Sequence, residues 1–156
     1  SKYGIHATFF MVAENAQRYP ELLQRVREEG HSIGNHTYHH LRGCKTTKQT
    51  YMQDIAIAKQ VLQTSLFRPP HGRMTCSQKK ALREAGYQIY LWDVLTHDYN
   101  PKYTPEKMLR IVQRFTRNGS IIVLHDSLKS KDRMLQALPQ IIKWLQAEGY
   151  TFQTLK

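Results

Sequence analysis

A chain of 156 residues, 40% of them hydrophobic, can bury one ordinary core and is too apolar to remain disordered. No apolar run approaches the roughly 18–20 residues that span a bilayer, and two cysteines without a CxxC pattern point to neither a disulfide scaffold nor a thiolate zinc site. The net charge of +11, from 23 Lys and Arg against 12 Asp and Glu, favours anionic partners. Its densest run, SLKSKDRM, contains an aspartate, and the other charges spread along helices, so a nucleic-acid module is not the expectation.

The chain opens on SKYGIHATFF, without an initiator methionine or a signal pattern. The apolar run ATFFMV (7–12) predicts a buried strand. PELLQRVREEG predicts a helix with Leu22, Leu23 and Val26 on one face, Pro20 at its first position and Gly30 at its stop. HSIGNH follows as a short strand leading into HTYHH. The stretch from Thr46 to Leu66 predicts a helix, capped by Thr46 or Thr47, with Met52, Ile55, Ala58 and Leu62 recurring at spacings of three and four.

LFRPPHGR predicts an irregular strand and turn, because two prolines and a glycine forbid regular structure. Ser77 is placed to cap a short helix ending at Gly86. YQIYLWDV (87–94) predicts one strong strand, and THDYNPKY a loop. TPEKMLRIVQRF predicts a helix with Thr104 as cap and Pro105 first. SIIVLH (120–125) predicts a strand buried on both faces. A last helix carries Met134, Leu135, Leu138, Ile141, Ile142 and Leu145 on one stripe, and Pro139 should kink it or delay its start. YTFQTL should close the chain as a strand.

Strand and helix thus alternate about five times, which predicts an α/β domain spanning 1–156 with a parallel sheet, open or closed into a barrel. Chemistry in such folds gathers at the carboxyl ends of strands. Those ends are His36 to His40, Arg68 to Arg73, Thr96 to Tyr99, and His125 with Asp126.

If residues 36–40 form one helical turn, His36 and His40 share a face and can bridge one zinc ion. His36 with His39 fits nearly as well by spacing. A third ligand would be a carboxylate or histidine at another strand end, where Asp98 and Asp126 lie. His125 suits general-acid work by its near-neutral titration. Arg68, beside two prolines, suits the orientation of a carboxylate. Gly72 allows close backbone approach, and Trp92 and Tyr99 could wall a sugar site.

In order, HATFFMV, EEGHSIGNHTYHH, FRPPHG, YLWDVLTHDY and IIVLHD resemble the polysaccharide deacetylase family, the group with the NodB homology domain, over almost the whole chain. The resemblance implies a distorted (β/α) barrel and a metal-dependent hydrolase that removes acetyl groups from N-acetylated sugars such as peptidoglycan or chitin oligomers. It implies a divalent metal, zinc first, held by His36 and His40, with His39 outside the ligand set. It makes His125 the general acid and Arg68 the residue that orients the catalytic base. It places Pro70, His71, Gly72, Asp98 and Tyr99 at the substrate, beside the Trp92 already read as a sugar wall, with a backbone N–H near His71 holding the oxyanion. It also implies an envelope or extracellular location.

The chain departs from the family pattern at several positions. His71 stands where tyrosine is usual, and in the D-x-x-D-W element Leu95 replaces the first aspartate and Tyr99 the tryptophan, so the carboxylate supporting His125 should be missing or come from another residue. The first motif, T-F-D-D-G-P, which supplies the base and the third ligand, does not occur in the sequence. The expectation is therefore an N-terminally truncated domain with an incomplete metal site, negligible turnover, and an open sheet edge prone to self-association. The alternatives are a non-catalytic carbohydrate-binding relative and a hydrolase of small non-sugar amides.

Overall fold

The structure is a computed structural model that describes residues 3–156. The chain divides into two compact units: residues up to Leu91 together with Phe152–Lys156, and Trp92–Thr151.

The first unit is built on four parallel strands in the order β1-β2-β3-β4. They are β1 (Thr8–Met11), β2 (Ser32–Asn35), β3 (Leu66–Phe67) and β4 (Gln88–Ile89). Thr8 to Met11 pair in step with Ser32 to Asn35, Asn35 meets Phe67, and Leu66 meets Gln88. The connecting helices are α1 (Ala13–Arg18), α2 (Pro20–Glu28), α3 (Lys48–Leu62) and α4 (Cys76–Glu84). Helix α3 serves two cores. Its Ala58 and Leu62 pack with Ala13, Ala16, Leu23 and Ile33, while Tyr51 and Ile55 pack with Phe67, Leu82 and Tyr87. Its buried positions, Tyr51, Ile55, Ala58 and Leu62, recur at spacings of three and four along one face, while Lys48, Gln49, Gln53, Lys59 and Gln60 face solvent.

Several boundaries differ from those the sequence predicts. Helix α1 was not expected, because six residues with only two buried alanines give no apolar stripe. Helix α3 stops at Leu62 rather than Leu66: Gln63 adopts φ 54° and its N–H closes on the Lys59 carbonyl. Thr75, not Ser77, caps α4, in a reciprocal capping box with Gln78. Cys44 and Cys76 are free and exposed.

The second unit holds β5 (Val94–Leu95), α5 (Pro105–Phe115), β6 (Ile122–Val123) and α6 (Lys131–Ala147), with β5 and β6 paired in parallel. Thr104 caps α5 and Pro105 opens it, as the sequence predicts. The expected single strand 87–94 is two strands in two sheets. The Tyr90 and Leu91 carbonyls, which a continuous strand would give to a neighbour, instead accept hydrogen bonds from the Arg68 side chain. Pro139 lies inside α6, which begins before the predicted stripe rather than after it. The missing proline N–H deprives the Leu135 carbonyl of its helical partner. Residues 150–155 form no strand; Leu155 donates its N–H to the Thr8 hydroxyl instead.

Candidate active site

The carboxyl end of β2 sets the geometry of the histidine segment. Asn35 is fully buried; its amide donates to the Ile55 carbonyl at 3.0 Å and its carbonyl oxygen accepts from the Thr37 N–H at 2.8 Å. Thr37 is also buried, its carbonyl accepting from Ala13 N–H and its hydroxyl from Leu41 N–H. These bonds hold Thr37 at φ 67°, and His40 follows at φ 57°. The segment is therefore not the helical turn considered from sequence. Two left-handed residues bend it so that the His36 and His40 rings lie 5.0 Å apart, centroid to centroid.

The choice between His39 and His40 follows from one carboxylate. Asp54, buried on α3, binds His39 Nδ1 at 2.5 Å and accepts from the Tyr38 and His39 N–H groups. His39 is thus tied to the helix while His40 faces His36. His36 Nδ1 lies 2.7 Å from the Arg68 carbonyl, which can only accept, so the proton sits on Nδ1 and the Nε2 lone pair is the one suited to a metal.

The β3 turn supplies the next group. Arg68 is 9% exposed, its guanidinium stacked 4.1 Å from the Phe10 ring centroid and bonded to the Tyr90 and Leu91 carbonyls. Burial lowers its pKa to about 10. Among the described residues it has no carboxylate partner. Pro70 is buried, and His71 and Gly72 adopt φ 58° and 69°. The His71 ring lies 5.1 Å from that of His40, and its Nε2 accepts from Arg42 Nε at 3.3 Å. Partial burial, aided by the Arg42 charge, holds His71 below the ordinary imidazole value.

Two imidazoles, one of them in a fixed tautomer, fit part of a zinc ligand set. Among the described residues no group of three or more His, Cys, Asp or Glu side chains is placed to hold a metal.

The second unit carries a different pair. Asp98 is completely buried: Oδ1 lies 2.7 Å from His125 Nδ1, and Oδ2 accepts from the His125 N–H at 2.5 Å. This corrects one expectation and decides another. Asp98 has no surface to offer a substrate, and of the two alternatives for the carboxylate supporting His125, missing or supplied by another residue, the second holds, with Asp98 as that residue. Arg133 Nε donates to the Asp98 carbonyl at 2.8 Å, and the Ser130 hydroxyl donates to the His125 carbonyl, so both backbones are braced from α6 and the turn before it. Tyr99 is exposed and packs edge-on 5.1 Å from His125. Trp92 is half-buried.

The residues that the sequence did not flag are Asn35, Asp54, Ser130, Arg133 and Arg42. Asp54 alone left a signal, a carboxylate on the buried face of α3 beside Tyr51, Ile55 and Ala58.

Parallel βα units with histidines and a histidine–aspartate pair at strand ends define an α/β chain whose chemistry sits where that class places it. The family model for polysaccharide deacetylase matches residues 1–90, and the chain belongs to that family. A peptidoglycan-N-acetylglucosamine deacetylase of Bacillus cereus is 35% identical over 161 residues, covering 99% of this chain and 75% of that protein. The peptidoglycan-N-acetylmuramic acid deacetylase PdaA of Bacillus subtilis is 30% identical, with the match covering 61% of its length. The PgdA deacetylase of Listeria monocytogenes is 29% identical, and there the chain spans only 33%. A crystal structure of a peptidoglycan N-acetylglucosamine deacetylase superposes with a TM-score of 0.94 at 30% identity, over 99% of this chain and 75% of that one. The fold class is therefore the NodB-type α/β fold, of which this chain covers part.

Proposed function

We propose that the chain belongs to a metal-dependent hydrolase that removes N-acetyl groups from an amino-sugar polymer of the peptidoglycan type, at the cell envelope or outside the cell. The observation that carries this reading is His125 held by a fully buried aspartate at a strand's carboxyl end. With Nδ1–H engaged by Asp98, the Nε2 atom is the one that carries a proton to the departing amine. His36 and His40 would hold a divalent ion, zinc first, which when bound polarises the acetamide carbonyl and acidifies water. The Arg68 carbonyl orients His36, and the backbone N–H at His71 is assigned to the developing oxyanion. Tyr99, beside His125, and Trp92 contact the sugar.

The family's aspartate pair does not occur in residues 1–156. Two histidines alone bind zinc weakly, so these 156 residues should show negligible turnover. The test is acetate release from an N-acetylated peptidoglycan fragment by a protein that carries the aspartate motif upstream of this sequence, with zinc added. His36→Ala should abolish zinc uptake and turnover together. Asp98→Asn should lower kcat by about 10- to 100-fold with KM little changed, because it disturbs the orientation of His125. Full activity in either variant would refute the roles assigned here, and no acetate release by that protein would refute the reaction.

A further inference from the structure

The positive charge is not evenly placed. Between Gly30 and Arg83 the sequence carries nine Lys and Arg and one carboxylate, Asp54. That carboxylate is buried and committed to the histidine segment. The stretch that supplies His36, His40 and His71 therefore presents cations to solvent and no exposed anion.

Three of those cations stand on two loops that are tied together. Arg42 donates through Nε to His71 Nε2. Lys45 ends the 3-10 turn Gly43–Lys45 that follows it. Gln78 Nε2 donates to the Gly43 carbonyl at 2.9 Å and to the Thr46 carbonyl at 3.1 Å, clamping this turn to the start of α4. The clamp is tight enough that a Cβ at Gly43 would lie 3.0 Å from the Arg73 carbonyl oxygen. Arg42, Lys45 and Arg73 are all exposed, on two loops held together beside the His40–His71 ring pair. Among the described residues none of the three has a carboxylate within ion-pair distance, a condition they share with most of the chain's lysines and arginines. Holding like charges together without counter-charges is unfavourable unless a ligand supplies them.

We infer that Arg42, Lys45 and Arg73 form a rim that binds a carboxylate carried by the glycan substrate, so that the chain selects an acidic N-acetylated polymer over a neutral one. The inference rests on the deacetylase reading for the word substrate, and on geometry alone for the binding. Guanidinium groups pair with carboxylates in bidentate fashion, which gives direction as well as charge. N-acetylmuramic acid carries such a carboxylate, and a chitin oligomer carries none. Three cations on two adjoining loops suit one acid group better than the extended row of phosphates on a duplex.

The experiment is calorimetric titration of the full chain, with zinc present, by three tetrasaccharides of equal length. One is all N-acetylglucosamine, one alternates with N-acetylmuramic acid, and one is the methyl ester of the second. The acid form should bind about tenfold more tightly than its ester, and the Arg42→Gln/Arg73→Gln variant should bring the two to parity. Equal binding of acid and ester by the unaltered chain would overturn the rim, even if the variant failed to fold. So would an unchanged preference in a folded variant, or a short DNA duplex binding as tightly as the acid glycan. Acetate release, measured separately on a protein that carries the aspartate motif, distinguishes the two readings. No turnover with the acid–ester gap intact refutes the deacetylase and supports the rim.

Discussion

His39 and His40 are adjacent and of one type, yet the structure gives them opposite tasks. Spacing could not separate them, because the separation depends on Thr37 and His40 being left-handed and on Asp54, fifteen residues from His39 in a different element. A β-branched residue at φ 67° is strained, and it persists because Asn35, Ala13 and Leu41 all bond to it. His39→Ala should therefore cost about 1–2 kcal/mol in urea unfolding, since it takes a hydrogen bond from a buried carboxylate, while leaving zinc uptake by His36 largely intact. His40→Ala should do the reverse, with a smaller stability loss and loss of zinc uptake. Equal effects of the two substitutions on both measurements would defeat the assignment. The same residue-scale logic explains Asp98. The sequence shows its place after a strand, but whether it faces substrate or lies beneath His125 depends on a partner twenty-seven residues away.

At the scale of elements, the apolar runs and helix caps were largely readable, and the exceptions have non-local causes. Residues 87–94 look like one strand because every local preference says so. Arg68, from the neighbouring β3 turn, takes the carbonyls that would have continued it. The β1–β2 pair contains two more such dependencies. A Cβ at Gly34 would come within 2.3 Å of the Phe10 ring, and that ring carries the Arg68 guanidinium on its face. Gly34→Ala should cost about 2–3 kcal/mol by urea unfolding, through overpacking; a neutral result would mean that Phe10 moves freely. Just before β2, His31 Nδ1 accepts the Ala7 N–H at 3.1 Å, so this ring must stay neutral. Burial holds its pKa below the ordinary value, against the pull of Glu29 and with a small push from His6. The unfolded chain thus binds this proton more tightly. The stability involved is complete above about pH 6.5 and is lost as pH falls toward the folded value. The urea midpoint should drop as pH falls below about 6.5, and drop less in His31→Gln. An identical pH slope in the variant would assign the effect elsewhere.

At the scale of the whole molecule, charge and sheet edge act against each other. β1 lies at one edge of the four-stranded sheet, and its sequence, Thr8–Met11, is apolar and without charge or proline. An edge of this kind is a template for pairing with a second copy. A net charge of +11 keeps copies apart, with a reach of about 10 Å at 0.1 M salt. Self-association through β1 should therefore be weak at low ionic strength and increase as salt screens the repulsion. Binding of an acidic glycan at Arg42, Lys45 and Arg73 should weaken over the same range, because there the charges attract. Light scattering across a salt series measures the first and titration calorimetry the second, and opposite slopes are expected. A monomer at every salt concentration would rule out the edge as an interface. Association that weakened with salt would mean that opposite charges, not strand pairing, hold the copies together.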